Sequence, residues 1–519
     1  MMQGGGRIIF LRGMAVAAGL VLAGPVLIGP VLVGPALAQG SPPPRAKAPP
    51  AKPAAHAKLL AAGKPVPAAA ARAGGETLQG AMTRAYSTNP ALLAERANLR
   101  ATDENVPAAL AGWRPQVSIS ASAGYADGYD IQHTTSAIGA PVNTRLTENR
   151  GQHSEQLNVV QPLYRGGQTV AGTHRAVNMV MAERARLIGQ EQTTFAAVVT
   201  AYVNVIQAEE VLALNVNNEQ VLARQLQATN DRFRVGEITR TDVAQAEAAL
   251  AGAKATRQTA EGNLQTARAS YQQVVGVLPG KLVEPQPLRL PTRTEAEAKE
   301  LAGRNNPNVV AALFDDAAAK DFFDLQYSKL MPNLSLQGQL SDSKDVTQRN
   351  LTVRSAQIIA SLSVPIYQGG IEYAAIRQAR QAQQQTREKV LDARRTAVQL
   401  AISAWETYDA ARATIASTRE QVRSNQVALE GVQREAIVGS RTTLDVLNAE
   451  QSLLNSRVTL VQNLAALVTA SYQVAAATGR LTARDLNLQV PLYDETAYYK
   501  AVRNKWFGTG DYAVGQPGR

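Results

Sequence analysis

Few side chains in this sequence are spaced for covalent chemistry. His56, His133, His153 and His174 show no metal-ligand spacing. There is no cysteine, and no nucleophile sits in a recognisable elbow. Gly166-Gly167 and Gly369-Gly370 lack the Lys-Ser/Thr that would complete a phosphate loop. Neither an enzyme nor a cofactor is therefore expected. The chemistry that remains is electrostatic. Asp242 follows Val235-Gly236 at the same spacing at which Asp445 follows Val438-Gly439, and Arg441 and Asn448 flank Asp445. Gly236 and Gly439 suit a tight turn between antiparallel helices, because glycine accepts positive φ without penalty. An aspartate early in the following helix is favoured by the helix dipole.

The two runs belong to a longer repeat. Pro162-Leu163-Tyr164-Arg165-Gly166-Gly167 returns as Pro365-Ile366-Tyr367-Gln368-Gly369-Gly370. Val235-Gly236, Asp242-Val243, Ala246-Glu247 and Gly276 all recur 203 residues later. Upstream, Asn89-Pro90 and Pro115 match Asn306-Pro307 and Pro332 at an offset of 217, so the halves differ in length only between Pro115 and Pro162. Two similar units must satisfy one set of packing constraints twice. The expected units are residues 76–293 and 294–480, followed by a tail over 481–519.

Each unit reads as helix, strand, loop, strand, very long helix, turn and long helix. The first helices cover 76–111 and 294–330, and Asn-Pro breaks each one early. After Pro115, Val117, Ile119, Ala121, Ala123 and Tyr125 alternate with uncharged polar residues, and 333–340 keeps the same parity. Returning strands are expected over 154–163 and 356–366, joined by a long polar loop (126–153) and a short one (341–350). The proline-free stretches 168–235 and 371–438 would each span about 100 Å as continuous helix. In the helix after the second turn, Leu444, Leu447, Gln451, Leu454, Val458, Val461, Ala465, Val468, Tyr472 and Ala475 form a heptad seam. Residues 458–479 carry no charge, yet Gln462, Asn463 and Gln473 argue for a coiled-coil helix over a membrane span.

Composition sets the compartment. Arg7 and Arg12 precede an apolar stretch over 13–37, and Ala36-Leu37-Ala38 offers a cleavage site, so 1–38 reads as a secretory signal with an uncleaved anchor as its rival. Residues 39–75, rich in Pro and Ala with six basic groups and no acid, read as a disordered linker. These segments hold eight of the 53 basic residues; the remaining 45 face 42 acidic ones. A body of net charge +3 gives little reason to expect a nucleic-acid partner. Four strands cannot close a barrel, and an open sheet leaves two raw edges. Pooling the strands of several subunits would remove those edges, and strands of about ten alternating residues suit an outer membrane. A soluble sandwich or a pair of surface hairpins is the alternative.

The run Gly439-Ser440-Arg441-Thr442-Thr443-Leu444-Asp445-Val446-Leu447-Asn448-Ala449-Glu450 resembles the signature of the TolC-like outer-membrane factors, in particular the type I secretion branch. The tail Ala477-Thr478-Gly479-Arg480-Leu481-Thr482, with Pro491-Leu492-Tyr493-Asp494 and Lys505-Trp506-Phe507-Gly508, is similar as well. The resemblance covers about residues 76–508. It implies a mainly α protein with transmembrane β: a homotrimer sharing a 12-stranded barrel in outer-membrane lipid, continued by a coiled-coil tunnel across the periplasm. It also implies two partners, a periplasmic adaptor and an inner-membrane ABC or proton-driven transporter. The expected activity is passive export, most simply type I protein secretion. A drug-efflux duct is the alternative, and a soluble periplasmic scaffold the rival of another class. By resemblance Asp445 faces the pore as a ring, and Arg441 and Asp242 form an ionic latch. Asn448 replaces a second ring aspartate and Ala436 a latch tyrosine, which implies weaker cation block and a looser closed state.

Overall fold

The computed structural model describes residues 75–515. The expected signal and, apart from Gly75, the expected linker lie outside the described residues.

The chain enters through α1 (Leu78–Thr88), α2 (Pro90–Asp103) and α3 (Asn105–Leu110). Asn89 ends α1 and caps α2, accepting from the Ala91 and Leu92 amides at 3.0 and 3.3 Å, with Pro90 at the first helical position. Its amide nitrogen also donates to the Val274 carbonyl at 3.0 Å. Asn306 repeats both roles between α6 (Glu295–Asn305) and α7 (Pro307–Tyr327), donating to the Ala477 carbonyl at 3.2 Å. Each Asn-Pro therefore breaks one helix and fastens the end of another.

The strands β1 (Gln116–Thr135), β2 (Pro141–Arg165), β3 (Asn333–Lys344) and β4 (Thr352–Ser363) form one antiparallel sheet in that order. The expected ten-residue strands are corrected here, because β1 and β2 run to 20 and 25 residues. Most of the expected 126–153 loop is ladder, paired out to Thr135 opposite Pro141. Polar cross-strand pairs carry this extension: Tyr125 donates to Asn149 at 2.5 Å, Arg145 stacks 3.9 Å over Tyr129, and His133 meets Asn143. Only residues 136–140 turn, with Gly139 at φ 82°. The second hairpin also departs from expectation: β3 extends to Lys344 and β4 begins at Thr352.

All strand-to-helix junctions lie at one end of the sheet. From them run α4 (Gln168–Arg234) and α8 (Ile371–Ile437), continuous helices of 67 residues each. At 1.5 Å per residue each is about 100 Å long. They return as α5 (Arg240–Val275) and α9 (Thr443–Ala477), packed along α4 and α8 respectively. The seam expected on α9 buries Leu447, Leu454, Val468, Tyr472 and Ala475, but leaves Leu444 and Gln451 exposed. A second stripe, Val446, Leu453, Ser456, Ala470, Val474 and Ala477, is buried too, because α9 packs on both α8 and α4. Among the described residues one helix, α4, is apolar and long enough by composition to cross a bilayer. It instead lies against α2, α5, α7 and α9.

The largest core sits midway along the helices, where Tyr86, Phe195, Tyr202, Tyr271 and Leu99 are buried. The Tyr202 hydroxyl donates at 2.7 Å toward the Glu76 and Val283 carbonyls, tying the chain entry to the segment after α5. Arg96, 1% exposed, donates to the Tyr86 carbonyl at 3.0 Å and stacks on the Tyr86 and Tyr493 rings. The tail closes this belt: Ala483 donates to Glu191 at 2.6 Å, and α10 (Ala497–Val502) lies on α2.

Candidate functional site: sheet faces and helical tips

The sheet has two chemically distinct faces. Reading across the four strands, Val117, Val159, Gly338 and Ile358 form one row and Ile119, Leu157, Leu340 and Ala356 the next. Residues one step along each strand turn the other way. They give the rows Ser118, Asn158, Gln339, Gln357 and Ser120, Gln156, Ser341, Ser355. On this polar face hydroxyls and amides bond across strands, Ser341 to Ser355 at 2.7 Å and Gln357 to Gln339 at 2.5 Å. A surface of uncharged donors and acceptors wets readily and holds no ion strongly. The apolar face ends where Glu155, Asp342 and Arg354 line up, Arg354 bonding Asp342 at 2.7 Å.

At the far end of the helices are two hairpin tips built alike. Gly236 (φ 79°) and Gly439 (φ 82°) make the turns, and no atom lies near where their side chains would be. Thr239 and Thr442 cap the returning helices. Asp242 Oδ2 accepts from the Thr239 amide at 3.0 Å, and Asp445 Oδ2 from the Thr442 amide at 3.0 Å. The aspartate amides donate back to the threonine hydroxyls at 3.4 and 3.3 Å, completing two capping boxes. These bonds hold both carboxyls below the usual range: the Thr239 hydroxyl and amide for Asp242, the Thr442 amide and hydroxyl for Asp445. Arg232 and Arg441 add smaller effects in the same direction. Both aspartates are thus ionised throughout the neutral range.

Arg441 donates to Glu435 across its own turn at 2.9 Å, and Arg232 pairs with Glu237 across the other. Among the described residues no ion pair joins Arg441 to Asp242. Asn448 is exposed one turn beyond Asp445. Sequence reasoning missed Glu435. The signal was present, since the 203-residue offset carries Arg232 onto Glu435, a charge reversal at matched positions flanking the turn.

The family model described as outer membrane efflux protein matches residues 81–277 and 299–480. The chain belongs to this family. The outer membrane efflux protein BepC of Brucella suis is 37% identical over 437 residues, covering 83% of this chain and 92% of BepC. The outer membrane protein TolC of Escherichia coli is 27% identical over 429 residues, covering 79% and 84%. Among solved structures, the CmeC outer membrane channel of Campylobacter jejuni superposes with a TM-score of 0.69 at 16% identity, over 82% of this chain and 89% of CmeC. The fold is that of an outer-membrane channel. As a family member, this protein is an outer-membrane efflux channel and not an enzyme, placed in the outer membrane of a Gram-negative bacterium and extending into the periplasm.

Proposed function

We propose that three copies pool their sheets into one 12-stranded barrel, with the polar rows inward and the apolar rows toward lipid. The observation that carries this reading is the open sheet itself. β1 and β4 each have an unpaired edge, and one face is apolar without a covering layer. Closure by symmetry satisfies the edges and gives the apolar face a solvent. Beneath it, α4, α5, α8 and α9 of three protomers enclose a tunnel to the tips. The duct is the passive part of a tripartite export system, with a periplasmic adaptor at the tips and an energised inner-membrane transporter below.

In this reading Asp445 contributes one carboxylate per protomer to a ring at the tunnel mouth, and Arg441 reaches from its Glu435 contact toward Asp242 of an adjacent hairpin when the mouth is closed. Adaptor binding then favours the open arrangement by its differential affinity. The cargo reading is type I protein secretion, supported by the 439–450 run and the tail. Small-molecule efflux is the second reading, favoured by the name of BepC at 37% identity. Deleting the gene separates them. Secretion predicts loss of an exported protein from the medium with unchanged dye tolerance; efflux predicts sensitivity to dyes and detergents with normal secretion. Purified protein that is monomeric and leaves with the periplasmic fraction on osmotic shock would overturn both.

A further inference from the structure

The tail beyond residue 480 runs along the helical body and reaches the strand junctions at Lys505 and Trp506. Its Tyr493 amide donates to the Tyr86 hydroxyl at 3.1 Å, and the Tyr498 hydroxyl of α10 donates to Glu104 at 2.8 Å. Beyond α10 the Lys505 carbonyl accepts from Arg114 at 2.5 Å, and the Arg114 guanidinium lies 5.0 Å from the Trp506 ring centre. Arg114 stands two residues before β1. The Arg114 guanidinium therefore brings Lys505 and Trp506, with Phe507 next in sequence, to the end of the sheet where strands meet helices. Both rings are exposed, Trp506 64% and Phe507 91%. The segment is pinned, so this exposure is not that of a loose end.

The level at which these rings sit is marked by other residues. Each junction carries one exposed aromatic: Trp113 before β1, Tyr164 at the end of β2, Tyr327 before β3 and Tyr367 after β4. Aromatic side chains gather where a bilayer's hydrocarbon gives way to headgroups, because an apolar ring with a polar edge is best solvated there. Arg114, Arg503 and Lys505 flank the two tail rings, a charge pattern suited to anionic lipid phosphates. We propose that Trp506 and Phe507 form an interfacial anchor, inserted at the headgroup boundary of the periplasmic leaflet of the outer membrane. The tail thereby ties the helical belt around Tyr86 and Arg96 to the membrane at a fixed height. This inference rests on the outer-membrane placement of the sheet, but assigns a lipid contact to a segment outside it.

The sequence has no cysteine, so a single introduced thiol reports its own position without background labelling. The test uses full-length protein in phosphatidylethanolamine–phosphatidylglycerol vesicles, carrying a nitroxide on Phe507→Cys, Ile358→Cys or Val427→Cys. All three sites are exposed, so labelling leaves the packed interior intact. Accessibility to oxygen against a water-soluble nickel chelate is then compared. The expected result is an oxygen-to-nickel ratio at 507 several-fold above that at 427 on α8, and close to that at 358 on the sheet. A water-like ratio at 507 with a lipid-like one at 358 overturns the anchor alone. Water-like ratios at both sites overturn the membrane placement as well. An immobilised label at 507, shielded from both reagents, shows instead that a second copy of the chain covers the tail, which also overturns the proposal.

Discussion

Asp445 and Asp242 are each bonded to the threonine that starts their own helix, so a substitution at the tips changes a cap and a charge together. Thr442→Ala isolates the cap. It should cost about 1 kcal/mol, the usual loss for a capping threonine. The loss should appear as faster hydrogen exchange in the first turn of α9, with the thermal transition of the whole assembly unchanged. Arg441 poses a different question, because it bonds Glu435 on its own hairpin at 2.9 Å. Arg441→Glu should raise single-channel conductance in planar bilayers. If closure depends on Asp242, the double variant Asp242→Arg with Arg441→Glu brings conductance back toward the starting value, whereas Glu435→Arg with Arg441→Glu does not. The reverse pattern removes Asp242 from the latch.

Among the elements, α9 shows what a helix end can demand of one residue. Gly479 has φ 76°, and a side chain there would meet the Asn305 carbonyl oxygen at 2.5 Å. Gly479→Ala combines backbone strain with a clash against main chain, and should cost well over about 1 kcal/mol, read as a lowered melting temperature. Gly439→Ala faces open space and bears the strain alone, so its effect should be smaller. Packing of the tail against α2 should depend on acidity. Asp103 is 1% exposed, and burial pushes its carboxyl up to about 7 from 3.8, against the pull of Arg184 and Arg100; Glu104 and Glu495 push it further up. A carboxyl raised in the folded state stabilises that state fully below its unfolded value and loses this contribution as pH rises through the folded value. Protease protection of the tail should therefore fall between about pH 4 and pH 7, and Asp103→Asn should flatten the profile.

Long elements with a clear period could be read from the sequence. The 67-residue helices, both Asn-Pro breaks and the sheet's alternating faces follow from spacing that tertiary packing did not override. The upper ladder of β1 and β2 was hidden, because its pairs are polar and its register owes nothing to an apolar face. The second stripe on α9 was hidden for the opposite reason: small residues such as Ser456 and Ala470 carry little pattern, yet they let a third helix approach. At the tips the aspartates stood out by position, whereas the Arg441 partner, Glu435, lay across a turn and was marked only by its charge reversal against Arg232.

For the whole molecule, the proposed ring exists only if three protomers place Asp445 around one axis. Alanine at 445 would not test this cleanly, since it also removes the acceptor for the Thr442 amide at 3.0 Å. Asparagine keeps an oxygen at that place and discards the charge. In a trimer Asp445→Asn takes three negative charges from the mouth, while Asn448→Asp adds three one helical turn away. The two variants should move block by a trivalent cation in opposite directions, weaker for the first and tighter for the second, when conductance is titrated from the tip side of a planar bilayer. Added salt should shrink both effects, because exposed charges are screened over about 10 Å at 0.1 M. A channel whose block ignores both substitutions has its cation site elsewhere, and the tips then act through hairpin geometry without a charged ring.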